Sequence, residues 1–194
     1  MPLSIGRPEG DDPPGRVAYQ GAPGAFSHEA CAALRPWDEA VGFDTFDQAI
    51  GAVLSGDCDC ALIPVENTTA GIVEPAATLV AASGLAVKSQ VWRPIRLALM
   101  APAGAPLSGI RTAESHQMAL KQCALALADL RITPVEAFDT AGAARAVAEA
   151  DDPSRAAVAP AAAAEAYGLS ILRNDLQDSA DNRTRFVLLS RPDA

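Results

Sequence analysis

Aromatic residues are scarce, at 5% of the chain, so little material exists for stacking on nucleobases. Basic residues are outnumbered as well: 15 Lys and Arg face 24 Asp and Glu, a formal net charge of -9. That balance excludes nucleic acid and an anionic membrane surface as partners. A small anionic ligand stays allowed, because one pocket can be positive inside an acidic protein. No apolar run approaches the roughly 18–20 residues that a membrane-spanning helix needs. Residues 1–15 carry Pro, Gly and acidic residues in place of the hydrophobic stretch of a signal peptide. We read them as a disordered tail, and the chain as cytoplasmic. Cys31, Cys58, Cys60 and Cys123 fit no zinc spacing and no CxxC redox motif. They read as buried free thiols of a reducing compartment, and in a strand Cys58 and Cys60 would share one face. His28 and His116 lack a His, Cys or carboxylate arranged for a triad or a metal site, and no glycine-rich phosphate loop appears.

What is present is apolar: 49% of 194 residues, much of it Ala, enough for a sizeable core of tightly packed helices. Short β-branched runs alternate with Ala-rich stretches. Strands are expected at Arg16–Gln20, Cys60–Ile63 (halted by Pro64), Ala86–Trp92, Ile95–Met100, Gly109–Thr112, Arg131–Val135, Ala156–Ala159, from Ile171, and at Phe186–Leu189. Helices are expected at Phe26–Leu34, Thr45–Leu54, Ile72–Ala82, Ser115 to about Leu130, Thr140–Ala150 and Ala161–Tyr167, with Thr45, Ser115 and Thr140 as N-caps and Gly56 as a stop. The alternation predicts α/β layers. The rhythm restarts near Arg93, which predicts two lobes: residues 16–92 with 174–194, and residues 93–173.

Four segments read as a strand end followed by small and hydroxyl residues that open a helix: Tyr19 to Ser27, Pro64 to Gly71, Glu114 to Gln117 and Asp139 to Ala141. Helix N-termini present unpaired N–H groups and the positive end of the dipole, which suits a carboxylate ligand. Glu66-Asn67-Thr68-Thr69 places a carboxylate, an amide and two hydroxyls beside a buried strand, a cluster that is costly to bury unless paired or used. Its plain reading is an N-cap with solvated neighbours. Asn182 to Phe186 has the same character, and Arg185 could clamp a carboxylate bidentately or form a surface salt bridge.

Taken together these segments resemble the prephenate dehydratase family. Val17-Ala18-Tyr19-Gln20-Gly21-Ala22-Pro23-Gly24-Ala25-Phe26-Ser27 resembles its opening, and Pro64-Val65-Glu66-Asn67-Thr68 its Pro-Ile-Glu-Asn-Ser/Thr motif. Ser115-His116-Gln117-Met118-Ala119-Leu120-Lys121-Gln122-Cys123 is similar to Ser-His-Pro-Gln-Ala-Leu-x-Gln-Cys, and Thr184-Arg185-Phe186 to its Thr-Arg-Phe signature. The likeness runs from about residue 16 to residue 190. It departs at Ala25, where members often carry Thr or Ser, and at Gln117, where they carry Pro. Members commonly continue into a phenylalanine-sensing ACT domain; the sequence stops at Ala194, so that feedback is expected to be missing.

The resemblance implies a two-lobed α/β fold of the periplasmic-binding-protein-like type II kind, with the active site in the inter-lobe cleft. It implies conversion of prephenate, a small dicarboxylate, to phenylpyruvate, carbon dioxide and water without metal or organic cofactor, and it leaves a homodimer open. Thr184 then stands where a donor to the leaving hydroxyl is needed, with Glu66 as the rival acid if burial raises its pKa. Arg185 becomes the carboxylate anchor or the orienter of Thr184. Asn67, Thr68, Thr69, Ser115 and Thr140 become donors to substrate oxygens, with Ala25 beside them. Arogenate dehydratase, a decarboxylase that spares the hydroxyl and a non-catalytic anion-binding protein are the rivals; the presence of Thr184 speaks against the decarboxylase, and Thr184 with Glu66 against the binding protein.

Overall fold

The computed structural model describes residues 14–192, so the tail read at residues 1–15 lies almost wholly outside the described residues. In chain order the elements are β1 (Arg16–Gln20), α1 (Phe26–Leu34), β2 (Glu39–Phe43), α2 (Phe46–Ser55), β3 (Cys60–Asn67), β4 (Gly71–Ile72), α3 (Ala76–Ala82) and β5 (Ala86–Pro94). There follow β6 (Ala98–Ala101), β7 (Thr112–His116), α4 (Gln117–Gln122), α5 (Ala124–Asp129), β8 (Thr133–Ala137), α6 (Thr140–Ala150), β9 (Arg155–Ala159), α7 (Ala161–Tyr167), β10 (Ser170–Arg173) and β11 (Arg183–Ser190). They fall into two compact units. One holds the described residues through Gly21, Ser27–Pro94 and those from Arg183 on; the other holds Ala22–Phe26 and Ile95–Asn182.

In the first unit the strand order is β2-β1-β3-β11-β5, with β4 paired to β3. β1 runs parallel to β2 and β3, whereas β11 is antiparallel to both its neighbours. Strand alternation sorts the apolar residues onto two faces. Val17, Tyr19, Leu62, Phe186 and Leu188 meet Ala30 and Cys31 of α1. Ala61, Ile63, Val65, Val187 and Leu189 meet Ala49, Ile50 and Val53 of α2 and Ala76 of α3. α2 forms as expected, with a Thr45–Gln48 capping box and a left-handed Gly56 at its end.

In the second unit the order is β10-β6-β9-β7-β8. One face of that sheet buries Leu99, Ala113, Ala156 and Val158 against Leu120, Cys123 and Leu127, and the other buries Met100, Ala157 and Ala159 against Ala143, Ala144, Val147, Ala163 and Ala164. The alanines let helix backbones approach closely. Gly24 shows how closely: at φ +84° it faces Ala163, whose Cα lies 2.5 Å from where a Cβ would stand, so only glycine fits.

Several boundaries differ from the sequence expectations, each for a local reason. Pro64 does not halt β3. It lies between the stretch paired with β1 and the stretch paired with β4, opposite an irregularity in the β11 ladder, where a missing N–H is tolerated. Ile72 belongs to β4, and the helix starts only at Ala76. β2, not expected, is a half-exposed edge strand whose short run Ala40-Val41-Gly42-Phe43 is interrupted by glycine and lacks the alternation that would signal it. Ser115 lies inside β7 and does not cap a helix, and the long helix is two, α4 and α5, parted at Cys123. The Asp178 carboxylate supplies the second start, accepting from the N–H groups of Leu125 (3.0 Å) and Ala126 (3.1 Å). Residues 174–182 stay with the second unit, because Leu176 is buried in that core and its N–H donates to the Leu97 carbonyl at 2.7 Å. Cys58 and Cys60 join opposite cores.

Candidate active site

The polar cluster of the first unit is assembled by a ladder register. Thr184 pairs with Asn67 and Arg185 with Glu66 across β3 and β11. On the other edge of β11, Thr184 pairs with Arg93 and Arg185 with Trp92 of β5. Neighbours along a strand point to opposite faces. Thr184 therefore shares a face with Asn67 and Arg93, whereas Glu66 and Arg185 occupy the other. The Thr-Arg pair, adjacent in sequence, is split by the pleat. Both residues lie within β11, not before it as the sequence suggested.

On the first face Asn67 Nδ2 donates to Thr184 Oγ1 at 2.9 Å. The orientation of that amide is fixed by its other end: Asn67 Oδ1 accepts from the N–H groups of Thr69 (2.9 Å) and Ala70 (2.8 Å). The turn that expectation had opening a helix is instead a hairpin turn between β3 and β4, held by this amide. Thr68 straps it to β11, its N–H donating to the Arg183 carbonyl and its Oγ1 accepting from the Arg183 N–H, both at 2.9 Å. Thr184 is 7% exposed. Its oxygen is used as an acceptor, so its proton is what the hydroxyl has to offer. Thr69 is exposed beyond it.

On the second face Arg185 reaches Glu66 Oε2 through Nε at 3.0 Å and Nη2 at 2.8 Å. Its Nη1 donates to Gln90 Oε1 at 2.9 Å, and its guanidinium lies over the Trp92 ring, 5.9 Å from the centroid. Arg185 is thus committed within the protein, on the face away from Thr184, and does not contact the hydroxyl it was expected to orient. Glu66 is 40% exposed; the burial that would make it a rival acid is not there.

In the second unit Ser115 is fully buried and donates to the Val158 carbonyl at 2.6 Å, a tie between β7 and β9. His116 takes the cap role expected of Ser115, its Nδ1 accepting from the Met118 N–H at 3.2 Å. Asp139 takes the one expected of Thr140, accepting from the Gly142 N–H at 2.6 Å; Thr140 is the first helical residue and half-buried. Ala25 sits half-buried in a turn, its N–H donating to the Ala22 carbonyl at 3.1 Å, beside Pro23, whose carbonyl accepts from the Tyr167 hydroxyl at 2.9 Å. Asn182, 3% exposed, donates to Gln122 Oε1 at 2.9 Å. Among the described residues no three His, Cys, Asp or Glu are gathered as a metal site requires. All four cysteines are buried and free. Burial pushes the Cys31 and Cys123 thiols up to about 12 and that of Cys60 up to about 11, out of the range of a nucleophile.

Comparison with known proteins closes the question of kinship. A family model described as prephenate dehydratase matches residues 17–194, and the chain belongs to that family. It is 37% identical to the bifunctional N-acyl-homoserine lactone acylase/prephenate dehydratase of Komagataeibacter europaeus, over 90% of this chain and 62% of that protein. It is 39% identical to arogenate dehydratase/prephenate dehydratase 2, chloroplastic, of Arabidopsis thaliana, over 91% of this chain and 46% of that one. The prephenate dehydratase of Arthrobacter aurescens, solved in complex with L-Phe, superposes with a TM-score of 0.84 at 29% identity, over 92% of this chain and 61% of that one. The chain therefore spans about half to two thirds of the length of these relatives. The expected mixed α/β class with two sheets is the fold they share.

Proposed function

We propose that the protein is a dehydratase, a carbon–oxygen lyase, that converts prephenate to phenylpyruvate with loss of carbon dioxide and water. The observation that carries this reading is the Asn67–Thr184 bond: a buried hydroxyl whose oxygen accepts from an amide donor at 2.9 Å keeps its own proton to donate. The chemistry needs such a group. The electron pair of the C–CO2⁻ bond moves into the ring, the opposite C–O bond breaks, and the departing hydroxide takes up a proton to leave as water. A Thr hydroxyl is too weak an acid to lose its proton outright, so it serves as a preorganised donor that relays one from solvent as the oxygen gains charge. Asn67 polarises it and fixes its direction. Thr68 and Thr69 lie beside it on the hairpin.

A second reading is arogenate as the substrate, favoured by the relative whose name carries both activities; it needs only an amino group in place of the keto oxygen. The test is turnover of prephenate and of arogenate by the purified chain, with product identified by mass and ultraviolet spectrum, and an N-acyl-homoserine lactone as a third substrate because one relative is also named an acylase. Formation of phenylpyruvate supports the first reading and phenylalanine the second. Binding with no turnover would leave a non-catalytic anion receptor. No helix among the described residues is long and apolar enough to cross a membrane. The cytoplasm and a homodimer belong to this proposal, and sedimentation and cell fractionation test them.

A further inference from the structure

Three arginines flank Thr184: Arg183 and Arg185 by sequence, which the pleat turns to the opposite face, and Arg93 across the ladder. Arg185 is spent: Glu66, Gln90 and Trp92 occupy it on the opposite face. Arg93 is the direct cross-strand partner of Thr184, so the two side chains leave the same face about 5 Å apart at Cβ. Arg93 is half-buried. Among the described residues no carboxylate lies within ion-pair distance of it. Glu29 on α1 feels it at longer range: burial pushes that carboxyl up, and the charge of Arg93 draws it partly back. Arg93 lies on the α1 side of the sheet with Thr184, because Val91 and Phe186, each two residues away on its own strand, pack in the core beneath α1.

We propose that Arg93, not Arg185, is the specificity-determining anchor for a carboxylate of the substrate, set beside the Thr184 hydroxyl by the β5–β11 register. This rests on the dehydratase reading. The row Asn67, Thr184, Arg93 then spans β3, β11 and β5, with a donor to a departing oxygen at its centre and a cation at its end. Chemistry selects which carboxylate Arg93 should hold. Pairing it with the carboxylate that leaves as neutral carbon dioxide would stabilise the ground state and be lost in the transition state, slowing the reaction. Pairing it with the side-chain carboxylate, which keeps its charge throughout, binds substrate and transition state alike. Such uniform binding shows in KM and not in kcat.

The experiment is steady-state kinetics of Arg93→Gln and Arg93→Lys in the full chain with prephenate, together with calorimetric binding of phenylpyruvate, an aryl 2-oxo acid with that carboxylate alone. Arg93→Gln is expected to raise KM and weaken phenylpyruvate binding by about 10–100-fold while kcat stays within about fivefold. Arg93→Lys should restore part of the loss, since it keeps the charge but not the bidentate fork. Unchanged KM and binding in a folded Arg93→Gln overturn the proposal and leave the dehydratase reading standing. A fall in kcat at constant KM overturns it too. If the wild-type chain turns over neither prephenate nor arogenate, the dehydratase reading fails and the binding arm decides: Arg93-dependent affinity for phenylpyruvate keeps the anchor, and its absence removes it. Should Arg93→Gln not fold, Arg93→Lys alone decides, because a purely structural cation would leave KM unmoved.

Discussion

The two ends of the Asn67 amide serve different purposes, and one substitution separates them. Its Oδ1 holds the hairpin through the Thr69 and Ala70 N–H groups, and its Nδ2 holds Thr184 Oγ1. Asn67→Asp keeps an acceptor for both N–H groups and strengthens those bonds with charge, so the hairpin should survive. At the other end a donor becomes an acceptor. The Thr184 hydroxyl then turns its proton inward to the new carboxylate, forming a charge-assisted bond that must break before the proton can serve a leaving group. Such bonds are worth about 1.5–3 kcal/mol, and at about 1.4 kcal/mol per tenfold the fall in kcat is about 10–150-fold. Stability should stay within about 1 kcal/mol of wild type. Asn67→Ala, the contrast, loses both ends and should lose stability as well as turnover. The assays are stopped-flow turnover of prephenate and urea denaturation of the same preparations. If Asn67→Asp keeps wild-type kcat, the inward pull on the proton is not real and the donor argument fails. If its stability collapses, the hairpin depends on the amide nitrogen in a way the geometry does not describe.

Glu66→Gln tests the rival acid. The Glu66–Arg185 pair is 40% and 32% exposed and turned away from Thr184, so we expect about 0–1 kcal/mol of stability lost and kcat within about fivefold; a loss of orders of magnitude would make Glu66 the acid. Ser115→Ala removes a buried donor and leaves the Val158 carbonyl without it, for which we expect about 1–3 kcal/mol of destabilisation in thermal denaturation and unchanged kinetics; a large rise in KM would return Ser115 to the substrate. Only a thiolate is alkylated, and Cys31 and Cys123 are held near 12 and Cys60 near 11. At pH 8 these three should carry about one thiolate in 10³–10⁴, so native chain should resist iodoacetamide, resist less as pH rises, and react at all four cysteines in denaturant; rapid native labelling of Cys31 at pH 8 would contradict its burial.

Elements with a strong local signal were legible in the sequence. α2 was readable from Phe46, Ile50 and Val53 with Thr45 and Gly56 at its ends, because a capping box and a glycine stop are chemistry confined to a dozen residues. The polar character of Glu66-Asn67 and Thr184-Arg185 was readable too. What pairs with what was not. That Thr184 faces Asn67 and Arg93 depends on the register of an antiparallel ladder, closed by residues far apart in sequence, and no local pattern encodes it. For the same reason Arg185 looked like the anchor. Adjacency suggested it, and the pleat sends it to the other face. Ser115 and Thr140 looked like caps because hydroxyls favour that position, but His116 and Asp139, one residue away, hold the caps. A cap signal is accurate to about a turn and not to a residue. The helix break at Cys123 was out of reach as well, since its cap, Asp178, comes from a distant loop.

The central claim is that the Thr184 hydroxyl donates to the leaving oxygen. Thr184→Val keeps the shape and removes the hydroxyl, whereas Thr184→Ser keeps the hydroxyl. Single-turnover rates with prephenate, alongside phenylpyruvate affinity, compare them directly. We expect a fall of about 10²–10⁴ for Thr184→Val, a rate within about tenfold of wild type for Thr184→Ser, and affinities within a few fold for both. A Thr184→Val protein that still forms phenylpyruvate at the wild-type rate would contradict it.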